Sequence, residues 1–231
     1  MREIVFDTET TGLDPFTGDR LVEIGCIELV NGFLTGQTFH RYLNPQRDMP
    51  DGAFQVHGLS AEFLKDKPLF ADVCEEFLAF VGDAPLIAHN AMFDFGFVNA
   101  ELDRCKRALI ARERIVDTLM LARRKHSAGP YSLDALCQRY GVDSSRRTKH
   151  GALLDAEILA EVYLELTGMR QAKLSLVDET SQTVQTGFGI AAVQVRATPL
   201  APRISDAERE AHDAFVATLG EKAIWKDYLA A

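Results

Sequence analysis

Along the first 170 residues, apolar positions come in short runs broken by turn residues, the pattern of a domain that mixes strands and helices. Ile4-Val5-Phe6 is an unbroken apolar run and predicts a buried strand. Residues 21–30 are apolar and β-prone, and Asn31-Gly32 predicts a tight hairpin into a third strand around 37–43, so that three antiparallel strands open the chain. Residues 44–58, with Pro45 and Pro50, read as loop and end in Phe54-Gln55-Val56-His57-Gly58-Leu59. Phe70, Val73, Cys74, Phe77 and Val81 recur at helical spacing and predict an amphipathic helix that stops near Gly82. Residues 85–89 read as a short buried strand passing through Asn90 into a helix with Phe97, Val98, Leu102 and Cys105 on its apolar stripe. Ile115-Val116-Asp117 predicts another strand, followed by helices near 119–124 and 132–140, the second closed by Gly141. A last helix runs from Ala152 to about Leu166, with Ala152, Leu159, Val162, Tyr163 and Leu166 inward.

After Gly168 the pattern changes. Between Leu176 and Pro202 the only charged residues are Asp178, Glu179 and Arg196, and Gln, Thr, Ala and Gly dominate, as in a flexible linker. Ser205-Asp206-Ala207-Glu208 is a capping box that opens a helix with Ala211, Phe215 and Leu219 on one face. Ile224, Trp225, Tyr228 and Leu229 follow. The chain therefore divides into a domain over 1–172, a linker over 173–203 and a helical tail over 204–231, which either packs back or docks on another protein. There are no internal repeats and no heptads.

Composition narrows the functional classes. A net charge of -9 and a pI near 5.2 do not suit a protein that holds nucleic acid by surface charge alone. Work on DNA or RNA would need metal ions at the site, or a partner that supplies affinity. Cys26, Cys74, Cys105 and Cys137 are widely spaced in apolar patterns and read as reduced core residues. Met1-Arg2-Glu3 runs straight into the first strand with no secretory leader, and no apolar stretch is long enough to span a bilayer, so the expected compartment is the cytoplasm and no membrane partner is expected.

The polar exceptions inside these apolar elements carry the chemistry. Asp7 and Glu9 stand two apart on the first strand, which puts both carboxylates on one face. Asp94 lies on the inward stripe in the first turn of its helix, and Asp155 does the same three residues after Ala152, with no Lys or Arg at helical spacing to pair with it. Both helices are expected to face one core. Buried like charges are costly unless a cation lies between them. Carboxylate oxygens suit Mg²⁺ or Mn²⁺. His150 belongs to the basic loop before the last helix and is free to move over the site. Four acids and one histidine are the makings of a phosphodiesterase site that uses two divalent ions. Asp117 is read as a strand-end residue outside that set, and Gly12 as a turn where a ligand's backbone can approach closely.

Phe6-Asp7-Thr8-Glu9-Thr10-Thr11-Gly12, His89-Asn90-Ala91-Met92-Phe93-Asp94 and His150-Gly151-Ala152-Leu153-Leu154-Asp155 resemble the three motifs of the DEDD exonuclease superfamily, in its histidine-bearing DEDDh branch. The resemblance covers about residues 1–170 and implies a ribonuclease-H-like fold, an α/β arrangement with a mixed five-stranded sheet flanked by helices. Residues 54–59 and the tail, from Ser205 to His212 and then Trp225, are similar more closely to the proofreading epsilon subunits of bacterial DNA polymerase III.

The resemblance implies two divalent metal ions, Mg²⁺ or Mn²⁺, with Asp7 on both, Glu9 and Asp155 on the one that activates water, and Asp94 on the other. It implies His150 as general base. Thr8, Thr10, Thr11, Gly12 and Leu13 would lie along the terminal nucleotide, Val56 and His57 near its base, and His89 and Asn90 near phosphate and sugar. The implied partners are a single-stranded or frayed DNA 3′ end and, through the tail, the polymerase alpha subunit. A sliding clamp is a further partner in that family. The candidate motif here, Gln182-Thr183-Val184-Gln185-Thr186-Gly187-Phe188, departs from the usual Gln-x-x-Leu-Phe pattern in spacing and hydrophobicity. Two alternatives stay open: an exoribonuclease acting on RNA 3′ ends, and a mainly structural subunit that stabilises a polymerase.

Overall fold

β1 (Arg2–Thr10) lies in the middle of the sheet because both of its faces are apolar. The computed structural model describes residues 1–147, 149–169 and 204–219. β2 (Leu21–Val30) pairs antiparallel with β1 and with β3 (Phe33–Tyr42), while β4 (Leu86–Ala88) and β5 (Ile115–Asp117) add in parallel on the other side. The order is β3-β2-β1-β4-β5, the mixed five-stranded sheet expected. Asn31 and Gly32 turn the β2–β3 hairpin with φ of 52° and 80°, the left-handed conformations such a two-residue turn demands.

The sheet alternates its side chains between two layers. Ile4 and Phe6 pack with Phe70, Val73 and Phe77 of α3 (Phe70–Val81) and Phe97, Val98 and Leu102 of α4 (Met92–Arg104). Val5 points the other way, among Leu136 of α6 (Leu133–Tyr140) and Ile158, Leu159 and Val162 of α7 (Ala152–Thr167). α5 (Thr118–Lys125) adds Ala122 to this second layer. The two acid-bearing helices, α4 and α7, therefore lie on opposite faces of the sheet and do not share one core. They meet only at the end of β1.

The region 44–58 is not all loop. α1 (Asp51–His57) follows Pro50, whose missing N–H costs nothing at a helix start, and Gly58 closes it at φ 76°. α2 (Ala61–Leu64) follows, capped by Ser60. β3 starts at Phe33, earlier than expected, because its first six positions are exposed and Phe33 and Leu34 stand side by side rather than in alternation. All four cysteines are free, and Cys105 is only partly buried.

The chain divides into two units, Met1–Ser175 and Leu176–Ala231. Within the second, Ser205 and Glu208 form the expected capping box on α8 (Asp206–Thr218), where Phe215 and Leu219 are exposed. The linker expected over 173–203, the segment 182–188 and Trp225 lie outside the described residues. Among the described residues no helix is long and apolar enough to cross a membrane.

Gly25 decides where α7 begins. It pairs with Asp7 across β1 and β2. A Cβ at Gly25 would sit 2.3 Å from the Leu153 amide nitrogen and 2.4 Å from the Ala152 carbonyl carbon. The helix start rests on bare strand backbone, beside Asp7. Gly25→Ala is expected to push α7 away and to cost about 1–3 kcal/mol of stability, read by urea denaturation.

Candidate active site

The acids gather where β1 outruns its neighbour. The last pair between β1 and β4 is Val5 with Ile87, so Asp7 to Thr10 extend past β4 on that edge. The turn at His89 and Asn90 and the first turn of α4 take up that place. Asn90 adopts a left-handed φ of 59°, and its amide donates to Asp117 Oδ1 at 3.2 Å. Asp117 also caps α5 by accepting from the Leu119 amide at 2.9 Å, which bears out its reading as a strand-end residue. Asp94 then arrives beside β1, where the Thr8 hydroxyl donates to its Oδ1 at 2.6 Å. From the opposite layer α7 brings Asp155, which is 2% exposed.

Burial and mutual repulsion shift these groups together. Burial first, then the charges of Asp94, Glu9 and Asp155, hold the Asp7 carboxyl well above the usual carboxylate range. Burial and then Asp155 push Glu9 up to about 8, and burial pushes Asp94 up to about 7. Asp155 is the exception: burial works to raise it, but hydrogen bonds from His150 and Arg147 hold it below its ordinary value. Glu9, His150 and Asp155 offer ligand atoms within 4.8 Å of one another. The donor set is carboxylate and imidazole with no thiol, which fits hard divalent ions that would neutralise the crowded acids.

All the predicted site residues except Asp155 line one open cleft of about 560 Å³. Asp7, Glu9 and Asp94 lie along it with Thr8, Thr10, Thr11, Gly12 and Leu13 from the end of β1 and the loop after it. Val56 and His57 come from α1, His89 and Asn90 from the turn after β4, and His150 from the loop before α7. Asp155 stands behind this lining. Sequence reasoning missed Phe93, Pro50, Gly52 and Ala53 as wall residues. Phe93 follows Asn90 by about one helical turn, but Gly52 and Ala53 lie in α1, which reads as loop in the sequence, and Pro50 just precedes it.

The walls are held by specific contacts. Glu101 is 1% exposed and takes Arg20 through two hydrogen bonds of 2.6 and 2.9 Å, while Arg104 joins Glu101 to the Pro15 carbonyl. This network anchors the loop after β1. At Gly12 the close neighbour is the chain itself: a Cβ would lie 2.2 Å from the Asp19 carboxylate, so the glycine makes room for that side chain rather than for a ligand's backbone. His57 is 6% exposed, and its Nδ1 accepts from the Leu59 amide at 3.0 Å, so the proton is on Nε2. That Nε2 has no partner, alone among buried side-chain polar atoms of the described residues.

Two expectations about the last motif change. Asp155 is not unpaired, because Arg147 donates to both of its oxygens, at 2.6 and 2.7 Å. Arg147 comes from the loop eight residues earlier, ahead of the helix start at Ala152. His150 is half-exposed, but its loop is tethered, since its amide donates to the Val56 carbonyl at 3.3 Å.

The raised acids make stability depend on pH in a defined direction. Asp7, Glu9 and Asp94 hold protons in the fold that they release in the unfolded chain above the ordinary carboxylate range. Their stabilising contribution is full below that range and is lost as pH rises toward about 8. Asp155, lowered, titrates below this window. In excess chelator, Tm is expected to fall between about pH 5 and about pH 8. Asp7→Asn or added Mn²⁺ should flatten the slope, as read by differential scanning calorimetry.

Comparison with known proteins agrees with this geometry. The model of the exonuclease family RNase_T matches residues 4–163. The DNA polymerase III subunit epsilon of Rickettsia felis is 55% identical over 186 residues, 79% of this chain and 81% of its own. That of Escherichia coli K12 is 42% identical over 236 residues, 97% of each chain. Among solved structures, exonuclease X in complex with 5′ overhanging duplex DNA superposes with a TM-score of 0.56 at 25% identity, covering 71% of this chain and 90% of that one. A catalytic domain matched almost end to end and relatives this similar over most of their length mean that the chain belongs to the DNA polymerase III epsilon-subunit family of 3′–5′ exonucleases.

Proposed function

We propose that the chain is a proofreading subunit that removes single nucleotides from unpaired DNA 3′ ends and releases 5′-mononucleotides. One observation carries this reading: four carboxylates from opposite faces of the sheet converge at the end of β1, under an open cleft edged by a half-exposed histidine. Asp7 would hold both of two divalent ions, Mg²⁺ or Mn²⁺, with Glu9 and Asp155 on one and Asp94 on the other. Such ions supply Lewis acidity and neutralise charge at the phosphodiester.

The remaining work falls to the chain's own side chains. His150 takes the proton of the attacking water, whose oxygen bonds to phosphorus as the bond to the 3′ oxygen breaks. The departing 3′ oxygen takes a proton from solvent, so that the shortened strand ends in a new 3′ hydroxyl and the terminal nucleotide leaves with a 5′ phosphate. Thr8, Thr10, Thr11, Gly12 and Leu13 would run along that nucleotide, with His89 and Asn90 at its phosphate and sugar. Val56, 48% exposed, offers an apolar surface to the base, and the unpartnered Nε2–H of His57 offers a buried donor that a substrate oxygen would satisfy. Mispaired ends cost less to fray, which is the source of selectivity.

The acidic chain has little charge with which to hold DNA, so a polymerase must supply effective concentration. The Escherichia coli relative, named as a subunit of DNA polymerase III, aligns over 97% of both chains, which supports the 204–231 tail as the docking element for the alpha subunit. The cytoplasm is the compartment this reading requires. The 182–188 segment remains the candidate for clamp contact.

Asp7→Ala is expected to abolish hydrolysis of a 3′-labelled oligonucleotide. His150→Ala should retain Mn²⁺ and lower turnover by about 10²–10⁴-fold, and loss of the ion instead would make His150 a ligand. Matched DNA and RNA oligomers should be cut at different rates, with DNA preferred. Deleting residues 176–231 should leave single-strand hydrolysis intact and abolish capture of the alpha subunit in a pull-down.

A further inference from the structure

One of the catalytic acids is gripped by a cation supplied by the chain itself. Arg147 is 9% exposed in its side chain and grips Asp155 with Nε on Oδ1 at 2.6 Å and Nη2 on Oδ2 at 2.7 Å. The same Nη2 lies 2.8 Å from His150 Nδ1. Its remaining nitrogen, Nη1, donates to Asp134 in the first turn of α6, a carboxylate that is 63% exposed. The guanidinium thus joins an acid of the site, the histidine beside it, and one acid outside the cleft lining.

This arrangement conflicts with the chemistry the site must do. A bidentate guanidinium occupies both oxygens of a carboxylate in its plane, where a metal ion would also approach. His150 Nδ1 also lies 3.2 Å from Asp155 Oδ2, so the imidazole and the guanidinium crowd onto the same carboxylate oxygen. While Arg147 stays in place, Asp155 is not available for the role proposed above, and His150 is held beside it. Asp134 suggests where the guanidinium goes: it is already bound to Nη1 and can keep the cation when the other two contacts break.

We propose that Arg147 is a positioning residue that competes with the divalent ion for Asp155, and that loading the site exchanges one cation for another, with Asp134 retaining the displaced guanidinium and His150 released in the same movement. The proposal rests on the metal-dependent reading given above. It gives Asp155 a cationic partner that offsets part of the repulsion among the acids before an ion arrives, and it links ion arrival to a change in the contacts of His150.

The test is Mn²⁺ titration of the full chain, followed by the loss of the free-ion signal in electron paramagnetic resonance. Arg147→Gln is expected to bind Mn²⁺ about tenfold more tightly, the scale of one charge-assisted contact. Arg147→Lys keeps the charge but gives up the two-pronged grip, and should also bind more tightly, by a smaller factor. Asp134→Asn removes the retaining acid and should bind more weakly. It touches no proposed ligand, so it still decides the matter if Arg147→Gln fails to fold. Unchanged or weaker binding in Arg147→Lys, or unchanged or tighter binding in Asp134→Asn, would overturn the exchange while leaving the hydrolase reading in place. Absence of Mn²⁺ binding by the wild-type chain would overturn both.

Discussion

Repulsion among carboxylates at the end of β1 is the constraint to which the rest of the domain answers. Asp7, Glu9, Asp94 and Asp155 each raise or respond to another's charge, and a cluster of this kind is stable only with protons or cations in it. An ordinary core would exclude such groups. Here an apolar sheet, filled on both faces, provides the rigidity to hold them in a place that costs stability.

Two pieces of backbone geometry bring the acids together. β4 is short, so β1 extends beyond it and leaves an edge on which the first turn of α4 can settle. On the other side Gly25 has no side chain, so the start of α7 reaches the backbone of β2 directly across from Asp7. Each helix remains packed in its own layer, and only its N-terminal turn enters the site. A mobile loop could not set the separation of these charges so closely.

The rim is tied to the same centre. The His150 amide bonds to the Val56 carbonyl, and Lys149 lies 5.3 Å over the Phe54 ring, so the loop that carries the histidine rests on the helix that carries Val56 and His57. On the opposite wall the Arg20–Glu101–Arg104 network fixes the loop that carries Thr11 to Leu13. A nucleotide seated in the cleft would touch elements already braced against each other, which lowers the entropy lost on binding.

Much of this is legible in the sequence because local patterns determine it. The apolar run at Ile4-Val5-Phe6, the Asn31-Gly32 turn, the stripe from Phe70 to Val81 and the acids standing on apolar stripes all follow from periods of two and 3.6 residues. α1 was obscured by the prolines that precede it, and the start of β3 by its exposure, since neither produces an apolar period. What only the folded chain decided is which distant segments share a volume: α4 and α7 on opposite faces, the unpartnered Nε2 of His57, and Arg147 on Asp155 from a loop with no periodicity. Spacing along a helix or strand is fixed by backbone geometry, whereas the pairing of a loop guanidinium with a buried carboxylate depends on how the layers close around them.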